Sequence, residues 1–296
     1  MSELVNEFDD EVGGTIVGVV QFAPAHKDLK KNIANVCDLI AHCTADLLVF
    51  PELSLSGYAF SSPEEARPFA IEADGEEIQN IAACARSNKV AIVLGFAQAE
   101  GDDLFNSSVA ISSTGDIAGL YQKQHLFYYE KMVFYQGELG RPVFDVMIRD
   151  DRSVKVGMEI CYDWRFPENT LEMAFQGAEI VAIPSNIVTT TGMLHETLRV
   201  RAFDNKVIIA FADRIGSEML ETEAGQEKLK FRGESCIINY NGEILSKLST
   251  TENSIAYATV RTEKTHSKRI NDHNDLFEDR KQLDAGVVQN EEEDEE

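Results

Sequence analysis

Residues 15–50 read TIVGVVQFAPAHKDLKKNIANVCDLIAHCTADLLVF, and this stretch indicates the fold class. The apolar run 15–22 predicts a buried strand, and residues 28–43 carry apolar side chains at helical spacing. Residues 46–50 form a second short apolar run that ends at a proline. A strand, an amphipathic helix and a strand in this order predict helices packed on a sheet.

The same patterns continue along the chain, without a fixed-period repeat or a Pro- or Ser-rich linker. They predict helices at 76–88, 168–175 and 193–205, and strands at 90–97, 106–113, 117–121, 154–160, 179–183, 207–212, 234–240, 243–248 and 254–260. The dipeptide Asn241-Gly242 predicts a type I′ hairpin turn between two of these strands. We therefore expect one α/β domain over 13–285, with acidic, disordered ends at 1–12 and 286–296.

Charge and hydropathy narrow the class of protein. The chain has 296 residues, 44% of them hydrophobic, and a net charge of −24 that is spread over the body as well as the ends. Such an acidic body repels phosphate backbones and anionic lipids, which excludes nucleic acid and membrane surfaces as partners. No apolar run is long enough to span a membrane, and residues 1–12 lack the basic start of a signal peptide. We expect a cytoplasmic protein.

The five cysteines, at positions 37, 43, 84, 161 and 236, show no metal-site spacing. Their odd number favours reduced thiols in a reducing compartment. We expect Cys37, Cys43, Cys84 and Cys236 to be core residues, which leaves Cys161 as the candidate for chemistry.

Cys161 lies in VGMEICYDWRFPE, after a predicted strand and before a predicted helix. At such a corner, backbone N–H groups and a helix N-terminus can lower a thiol pKa and hold an oxyanion. A buried structural cysteine is the alternative at this point.

A thiol nucleophile needs a base, and both histidines and carboxylates are candidates. His125 and His195 are the imidazole candidates. Glu52 ends a very apolar strand, where a carboxylate is costly to bury without a partner. Lys123 also ends an apolar strand and could neutralise Glu52 or polarise a carbonyl. A solvated surface position is the alternative for each of them.

Three segments together resemble the nitrilase superfamily of carbon–nitrogen hydrolases: PELSLSGY around Glu52, YQKQHLF around Lys123 and GMEICYDWRFPE around Cys161. The resemblance covers essentially the whole body of the chain. Residues 269–280, RINDHNDLFEDR, are similar to the closing segment of aliphatic amidase and small-nitrilase members.

The resemblance implies a catalytic role for each motif residue. It implies that Cys161 attacks the substrate carbon, that Glu52 is the proton carrier, and that Lys123 and the Tyr162 N–H hold the oxyanion. Glu130 matches a second glutamate that orients substrate and Lys123; Glu138 is the alternative because spacing in this loop varies. His125 is then a structural residue beside the lysine.

The resemblance also implies a four-layer α-β-β-α sandwich that pairs into a homodimer or a higher homo-oligomer, and no metal or organic cofactor. Tyr58, Tyr162, Trp164 and Asn186 are predicted to bind substrate. Three positions depart from the family pattern, so the size of the substrate does not transfer: Ile187, His195 and Asp213.

The sequence therefore predicts a thiol-dependent hydrolase of non-peptide carbon–nitrogen bonds, foremost an amidase for small aliphatic amides. A nitrilase is the first alternative, followed by an N-carbamoyl hydrolase and a glutamine-hydrolysing subunit. A non-catalytic scaffold would be expected to lose Glu52, Lys123 or Cys161, and all three are present.

Overall fold

A computed structural model describes residues 13–188 and 192–280 of the chain. The acidic ends predicted at 1–12 and 286–296 lie outside these described residues, as does the 281–285 end of the predicted domain.

The described residues form two six-stranded sheets and a two-stranded ribbon. The strands are β1 (Thr15–Gln21), β2 (Leu47–Val49), β3 (Ala91–Glu100), β4 (Asp103–Ile111), β5 (Ile117–Gln122), β6 (Val143–Met147), β7 (Ser153–Met158), β8 (Ile180–Ser185), β9 (Ile208–Asp213), β10 (Ser217–Thr222), β11 (Gly225–Lys230), β12 (Cys236–Ile238), β13 (Ile244–Lys247) and β14 (Ser254–Val260). The helices are α1 (Leu29–His42), α2 (Pro63–Ala66), α3 (Glu76–Asn88), α4 (Glu130–Val133), α5 (Pro167–Phe175) and α6 (Leu194–Asn205). Four 3-10 helices occupy Arg67–Phe69, Arg149–Asp151, Cys161–Arg165 and Thr262–Thr265.

The two sheets share one construction. The first has the order β14-β1-β2-β3-β4-β5 and the second β13-β12-β9-β8-β7-β6. In each, three central strands run parallel: β1, β2 and β3 in the first sheet, and β7, β8 and β9 in the second. Antiparallel strands complete both sheets on either side. The carboxyl ends of the parallel strands are where the chain places Glu52 and Cys161.

Alternating side chains on the strands belong to different hydrophobic clusters on the two faces of the first sheet. Val19 faces inward, in the cluster that also holds Val156 and Met158 of the second sheet. Val20, the next residue, faces outward and packs with Val36 of α1. Helix α3 joins this outer cluster, and α5 and α6 cover the far side of the second sheet. The predicted four-layer α-β-β-α sandwich is confirmed.

The hairpin predicted around Asn241-Gly242 is present, but its turn differs. Strands β12 and β13 pair antiparallel with a register shift. The N–H of Gly242 donates to the carbonyl of Asn239 at 2.8 Å, and Gly242 has a φ of 79° while Asn241 has no positive φ. The type I′ prediction was therefore wrong: a turn followed by one left-handed glycine, a longer connection, joins the strands.

The cysteine prediction was also partly wrong. Cys37 of α1 and Cys84 of α3 form a disulfide, with Cα atoms 5.7 Å apart. The two helices lie side by side on the first sheet, which brings together two cysteines 47 residues apart. Cys43 is a half-buried free thiol, and Cys236 is buried in β12 as expected of a core residue.

Candidate active site

Cys161 lies at the predicted corner between strand and helix. It follows the end of β7 by three residues and opens the 3-10 helix Cys161–Arg165, which leads into α5. Its φ is 46°, in the left-handed region, and only 5% of its surface is exposed. Strained backbone of this kind costs free energy and concentrates at functional sites.

Glu52 follows β2 and is fully buried. Its backbone packs tightly on β3, where a Cβ at Gly95 would come within 2.6 Å of the Glu52 Cα, so only glycine fits there. Oε1 of Glu52 accepts hydrogen bonds from Asn106 Nδ2 and Lys123 Nζ, both at 2.6 Å. Oε2 is buried and has no hydrogen-bond partner among the described residues.

Lys123 follows β5 and bridges two carboxylates. Its Nζ lies 2.6 Å from Oε1 of Glu52 and 2.7 Å from Oε2 of Glu130, and its side chain has no exposed surface. Burial by itself lowers the pKa of Lys123, but the carboxylates of Glu130 and Glu52 outweigh it and raise that pKa above its usual value. The lysine is therefore an ammonium held between two acids.

Glu130 opens α4 and completes this cluster. Its Oε1 accepts the hydroxyl of Tyr58 at 2.7 Å as well as Lys123 Nζ at 2.9 Å. Burial raises the pKa of Glu130 to about 7, although Lys123 acts in the opposite direction. Glu138, the sequence alternative, is exposed to solvent. Of the two glutamates, the structure brings Glu130 to the lysine.

The thiol of Cys161 responds to the same groups. Burial raises its pKa well above the usual value, and the carboxylates of Glu52 and Glu130 raise it further. The ammonium of Lys123 and the backbone N–H of Asn186 lower it. The resting group is thus a protonated thiol, which needs a base to become a nucleophile.

A second network ties the Cys161 corner to the segment after Lys123. Oδ2 of Asp163 accepts the Tyr121 hydroxyl at 2.8 Å and the Ile160 N–H at 3.0 Å. Oδ1 of Asp163 accepts the His125 N–H at 3.0 Å and lies 2.7 Å from His125 Nδ1. Asp163 therefore fixes two of the motifs relative to each other, and His125 is engaged in this network.

The other imidazole candidate is engaged elsewhere. Nε2 of His195 lies 3.0 Å from the carbonyl oxygen of Glu234. In the described part of the chain, neither His125 nor His195 has a hydrogen bond to Cys161. Glu52 remains as the base candidate, since its carboxylate influences the thiol of Cys161 electrostatically.

A cavity of about 220 Å³ opens at Cys161. Three of the predicted substrate-binding residues line it: Tyr162, Trp164 and Asn186. Its other walls are Phe127, Arg165, Ile187 and Val188. Tyr58 is not among the lining residues; its hydroxyl donates to Glu130. A larger open cleft of about 800 Å³ lies beyond Tyr162 and is not lined by Cys161.

Asn186 is a polar residue of the cavity wall. Its side chain is buried, and both its amide nitrogen and its amide oxygen lack a hydrogen-bond partner within residues 13–188 and 192–280. Unpaired buried amide atoms are unfavourable unless a ligand or water satisfies them. Asn186, which lines the cavity with Cys161, therefore carries hydrogen-bonding capacity that no described residue satisfies.

Sequence reasoning missed two polar residues of the site. Asn106 donates to Glu52 at 2.6 Å from within β4, and Asp163 carries the second network. Asn106 had a weak signal, since it is an amide at the start of the predicted strand 106–113. Asp163 follows Cys161 by two residues, but no pattern indicated that its carboxylate would face the neighbouring motif.

No membrane-spanning helix and no metal centre is found in the described ranges. None of their helices has the length and apolar character needed to cross a bilayer. They also contain no group of three or more His, Cys, Asp or Glu side chains able to hold a metal ion.

Comparison with known proteins identifies the family. The sequence matches the carbon–nitrogen hydrolase family over residues 16–270. It is 38% identical over 270 residues to a protein called nitrilase from Pyrococcus abyssi, a match that covers 90% of this chain and 97% of the relative. It is 32% identical over 239 residues to an (R)-stereoselective amidase from a Pseudomonas species, with 80% and 81% covered.

A solved structure shows the same fold. The crystal structure of a carbon–nitrogen hydrolase from Helicobacter pylori superposes with a TM-score of 0.74 at 26% identity, covering 86% of this chain and 91% of that one. Family match, relatives and fold agree with one another. The chain belongs to the carbon–nitrogen hydrolases, the enzymes of the nitrilase superfamily.

Proposed function

We propose that this enzyme is a thiol-dependent amidase that converts a small aliphatic amide to a carboxylic acid and ammonia. The observation that carries the proposal is a fully buried Lys123 ammonium between the carboxylates of Glu52 and Glu130, next to a protonated thiol at the end of a small cavity. This set contains a nucleophile, a base and a cation without a metal.

The first half of the reaction forms a thioester. Glu52 takes the proton from Cys161 through its unpaired Oε2, and the thiolate adds to the amide carbonyl carbon. The ammonium of Lys123 and the N–H of Tyr162 stabilise the negative charge on the former carbonyl oxygen. Glu52 then returns the proton to the nitrogen, the C–N bond breaks, and ammonia leaves.

The second half regenerates the enzyme. Glu52 removes a proton from a water molecule, whose oxygen attacks the thioester carbon. The same two donors hold the second tetrahedral intermediate. The C–S bond breaks, Cys161 regains its proton, and the carboxylic acid leaves.

Size and polarity of the cavity support a short acyl group. About 220 Å³ accommodates a few carbon atoms, and Phe127, Trp164 and Ile187 supply apolar walls. The amide atoms of Asn186 can pair with the polar end of the substrate. Glu52 supplies the proton that the leaving nitrogen must receive when the C–N bond breaks.

Nitrile hydrolysis is the second candidate. It needs the same thiol and base, and the relative that is 38% identical carries the name nitrilase. N-carbamoyl hydrolysis uses these side chains as well. The three reactions differ through modest free-energy differences in the cavity rather than through the catalytic set.

Assembly and location belong to the same proposal. Exposed apolar side chains on the outer helices, Phe175 of α5 and Val200 and Phe203 of α6, support a homodimer. A free thiol nucleophile is best preserved in a reducing compartment, which supports a cytoplasmic location. The Cys37–Cys84 disulfide is unusual in a reducing compartment, so cell fractionation is the direct test.

The proposal is tested by ammonia release from short aliphatic amides, nitriles and N-carbamoyl amino acids. We expect amides to give the highest kcat/KM, and Cys161→Ala to abolish turnover while the circular dichroism spectrum is unchanged. The control is Cys236→Ala, which removes a buried free thiol outside the cavity and leaves the nucleophile in place. Turnover retained by Cys161→Ala, or a preference for nitriles, would contradict the assignment.

A further inference from the structure

A buried ion pair between Arg214 and Glu218 lies outside the catalytic cluster. Arg214 directly follows β9, and Glu218 is the second residue of β10. Nη1 of Arg214 donates to Oε1 of Glu218 at 2.5 Å, and only 1% and 3% of the two side chains are exposed. Two charges removed from water are unfavourable unless their remaining hydrogen-bonding capacity is satisfied. The second carboxylate oxygen of Glu218, Oε2, makes further hydrogen bonds.

Oε2 of Glu218 holds the chain that follows Glu52. It accepts the backbone N–H groups of Tyr58 and Ala59, both at 2.8 Å. Neither residue lies in a helix or strand. Gly57 lets the carboxylate come this close: its φ is 82°, and a Cβ there would lie 2.8 Å from Glu218 Oε1.

The ring of Phe231 makes a second connection from the ion pair to Tyr58. It lies 4.0 Å from the guanidinium of Arg214 and meets the Tyr58 ring edge to face at 5.9 Å. Tyr58 is thus held at its backbone by Glu218 and at its ring by Phe231. Its hydroxyl then reaches Glu130 at 2.7 Å.

We propose that Glu218, supported by Arg214, is a positioning residue for the reaction: it places Tyr58 so that the hydroxyl holds Glu130 against Lys123. Glu218 does not line the cavity at Cys161, so it acts through Tyr58 and not on the substrate. This inference rests on the proposed function for its activity readout alone.

The charged and titratable groups around Glu130 and Glu218 determine in which direction the pKa of Glu130 should move. Glu130 faces Lys123, Glu52 and Tyr58, and the Tyr58 hydroxyl lowers the pKa of Glu130. Glu218 faces Arg214, with His26 Nε2 4.0 Å away. If Tyr58 is displaced, the carboxyl of Glu130 loses a donor and keeps its proton to a higher pH.

The test compares Glu218→Gln, Tyr58→Phe and the double variant by the pH profile of kcat. We expect each single variant to lower kcat about tenfold and to move the acid limb upward by about half a pH unit or more. Because Glu218 acts through Tyr58, adding Glu218→Gln to Tyr58→Phe should change the profile no further. The inference is overturned if Glu218→Gln has the same effect in the wild type and in Tyr58→Phe. It is also overturned if Glu218→Gln alone has no effect.

A matched control separates positioning from general destabilisation. Asp46 is another buried carboxylate that accepts a backbone N–H, from Ile16 at 2.9 Å, and pairs with Arg152 at 3.3 Å, but it has no contact with the cluster. Asp46→Asn should lower the melting temperature and leave the acid limb in place. A shift equal to that of Glu218→Gln overturns the inference.

A readout without substrate distinguishes this inference from the proposed function. Alkylation of Cys161 by iodoacetamide, followed by peptide mass spectrometry across pH, reports on the same cluster even if no amide is hydrolysed. If Glu218→Gln does not fold, Phe231→Leu keeps apolar volume and removes the ring between Arg214 and Tyr58. Phe231→Leu should move the pH profile of alkylation upward, as Glu218→Gln moves the acid limb of kcat. An unchanged profile overturns the inference.

Discussion

Nζ of Lys123 lies 2.6 Å from Oε1 of Glu52, and neither side chain has exposed surface. The same Nζ lies 2.7 Å from Oε2 of Glu130, so one ammonium pairs with two buried carboxylates. A carboxylate left alone in such surroundings is strongly destabilising. Under the proposed function, the stability of the fold and the chemistry at Cys161 should therefore depend on the same lysine.

Replacing Lys123 should show both dependences. Lys123→Met removes the cation and leaves Glu52 and Glu130 without their partner, so we expect a loss of about 3–5 kcal/mol in the free energy of unfolding. Loss of the ammonium at the oxyanion should lower kcat by at least about 100-fold. Urea denaturation and amide turnover measure the two effects.

The control for this prediction is Lys155→Met. Lys155 pairs with Asp145 at 3.0 Å on the surface, where about half of each side chain or more is exposed. Such a pair contributes about 1 kcal/mol or less. A Lys123→Met protein as stable as Lys155→Met would contradict the account of the buried cluster.

The pH dependence of activity should follow Glu130. Burial raises the pKa of this carboxyl to about 7, against the influence of Lys123. Below that pH the carboxyl carries a proton and no longer anchors the ammonium as an anion, so kcat/KM should fall about tenfold per unit as the solution becomes more acidic. The limb is a property of the coupled cluster.

Two glutamine variants test this assignment. Glu130→Gln should flatten the limb near pH 7 while lowering the rate at every pH. Glu138→Gln, at the exposed glutamate of the same loop, should leave the profile unchanged. A limb that survives in Glu130→Gln would move the titration to another group.

Titration of Glu159 should make the free energy of unfolding fall as the pH rises. Burial raises its pKa to about 8, although a hydrogen bond from the hydroxyl of Thr170, at 2.7 Å, acts in the opposite direction. Between about pH 4.5 and 8 the folded state keeps this proton and the unfolded state has lost it. The folded state then binds more protons, so the free energy of unfolding falls as pH rises through this window.

Glu159→Gln removes the titrating group and keeps the shape of the side chain. We expect it to raise the free energy of unfolding by at least about 1 kcal/mol at pH 8 and to change it little at pH 5. Glu130 contributes a slope of the same sign, so the variant reduces the dependence rather than abolishing it. Glu168→Gln, on the exposed side of α5, should change neither value, and equal behaviour of the two variants would refute the prediction.

The sequence predicted the parts of this molecule that are locally encoded. Apolar periodicity placed α3 at its observed bounds, Glu76–Asn88, and β14 at Ser254–Val260. The motifs around Glu52, Lys123 and Cys161 named the three residues that the structure brings together. Short apolar strands followed by polar residues carry this information within a few positions of the chain.

What was missed depends on contacts between distant segments. The ribbon of β10 and β11 has mostly exposed, charged positions, so no apolar pattern marks it, yet Glu218 at its start holds Tyr58 across 160 positions of sequence. Asn106 reaches Glu52 across the sheet in the same way. The Cys37–Cys84 disulfide belongs to this class, because only the packing of α1 on α3 brings the two together.

The disulfide gives the last prediction, a change in stability without a change in chemistry. Without reductant, unfolded protein should expose three thiols per chain to a thiol reagent, Cys43, Cys161 and Cys236, and five after reduction. The bond closes a long loop, so Cys37→Ser with Cys84→Ser should lower the free energy of unfolding by up to about 4 kcal/mol.

The outer layer of α1 and α3 lies on the far side of the first sheet from the cavity. Hence kcat at 25 °C should stay within about twofold of the wild-type value. Cys43→Ser is the matched control, because it removes a half-buried free thiol at the end of α1 and leaves the bond in place. Five reactive thiols before reduction would contradict the disulfide. A loss of turnover in the double variant equal to that of Cys161→Ala would contradict the separation of the bond from the chemistry.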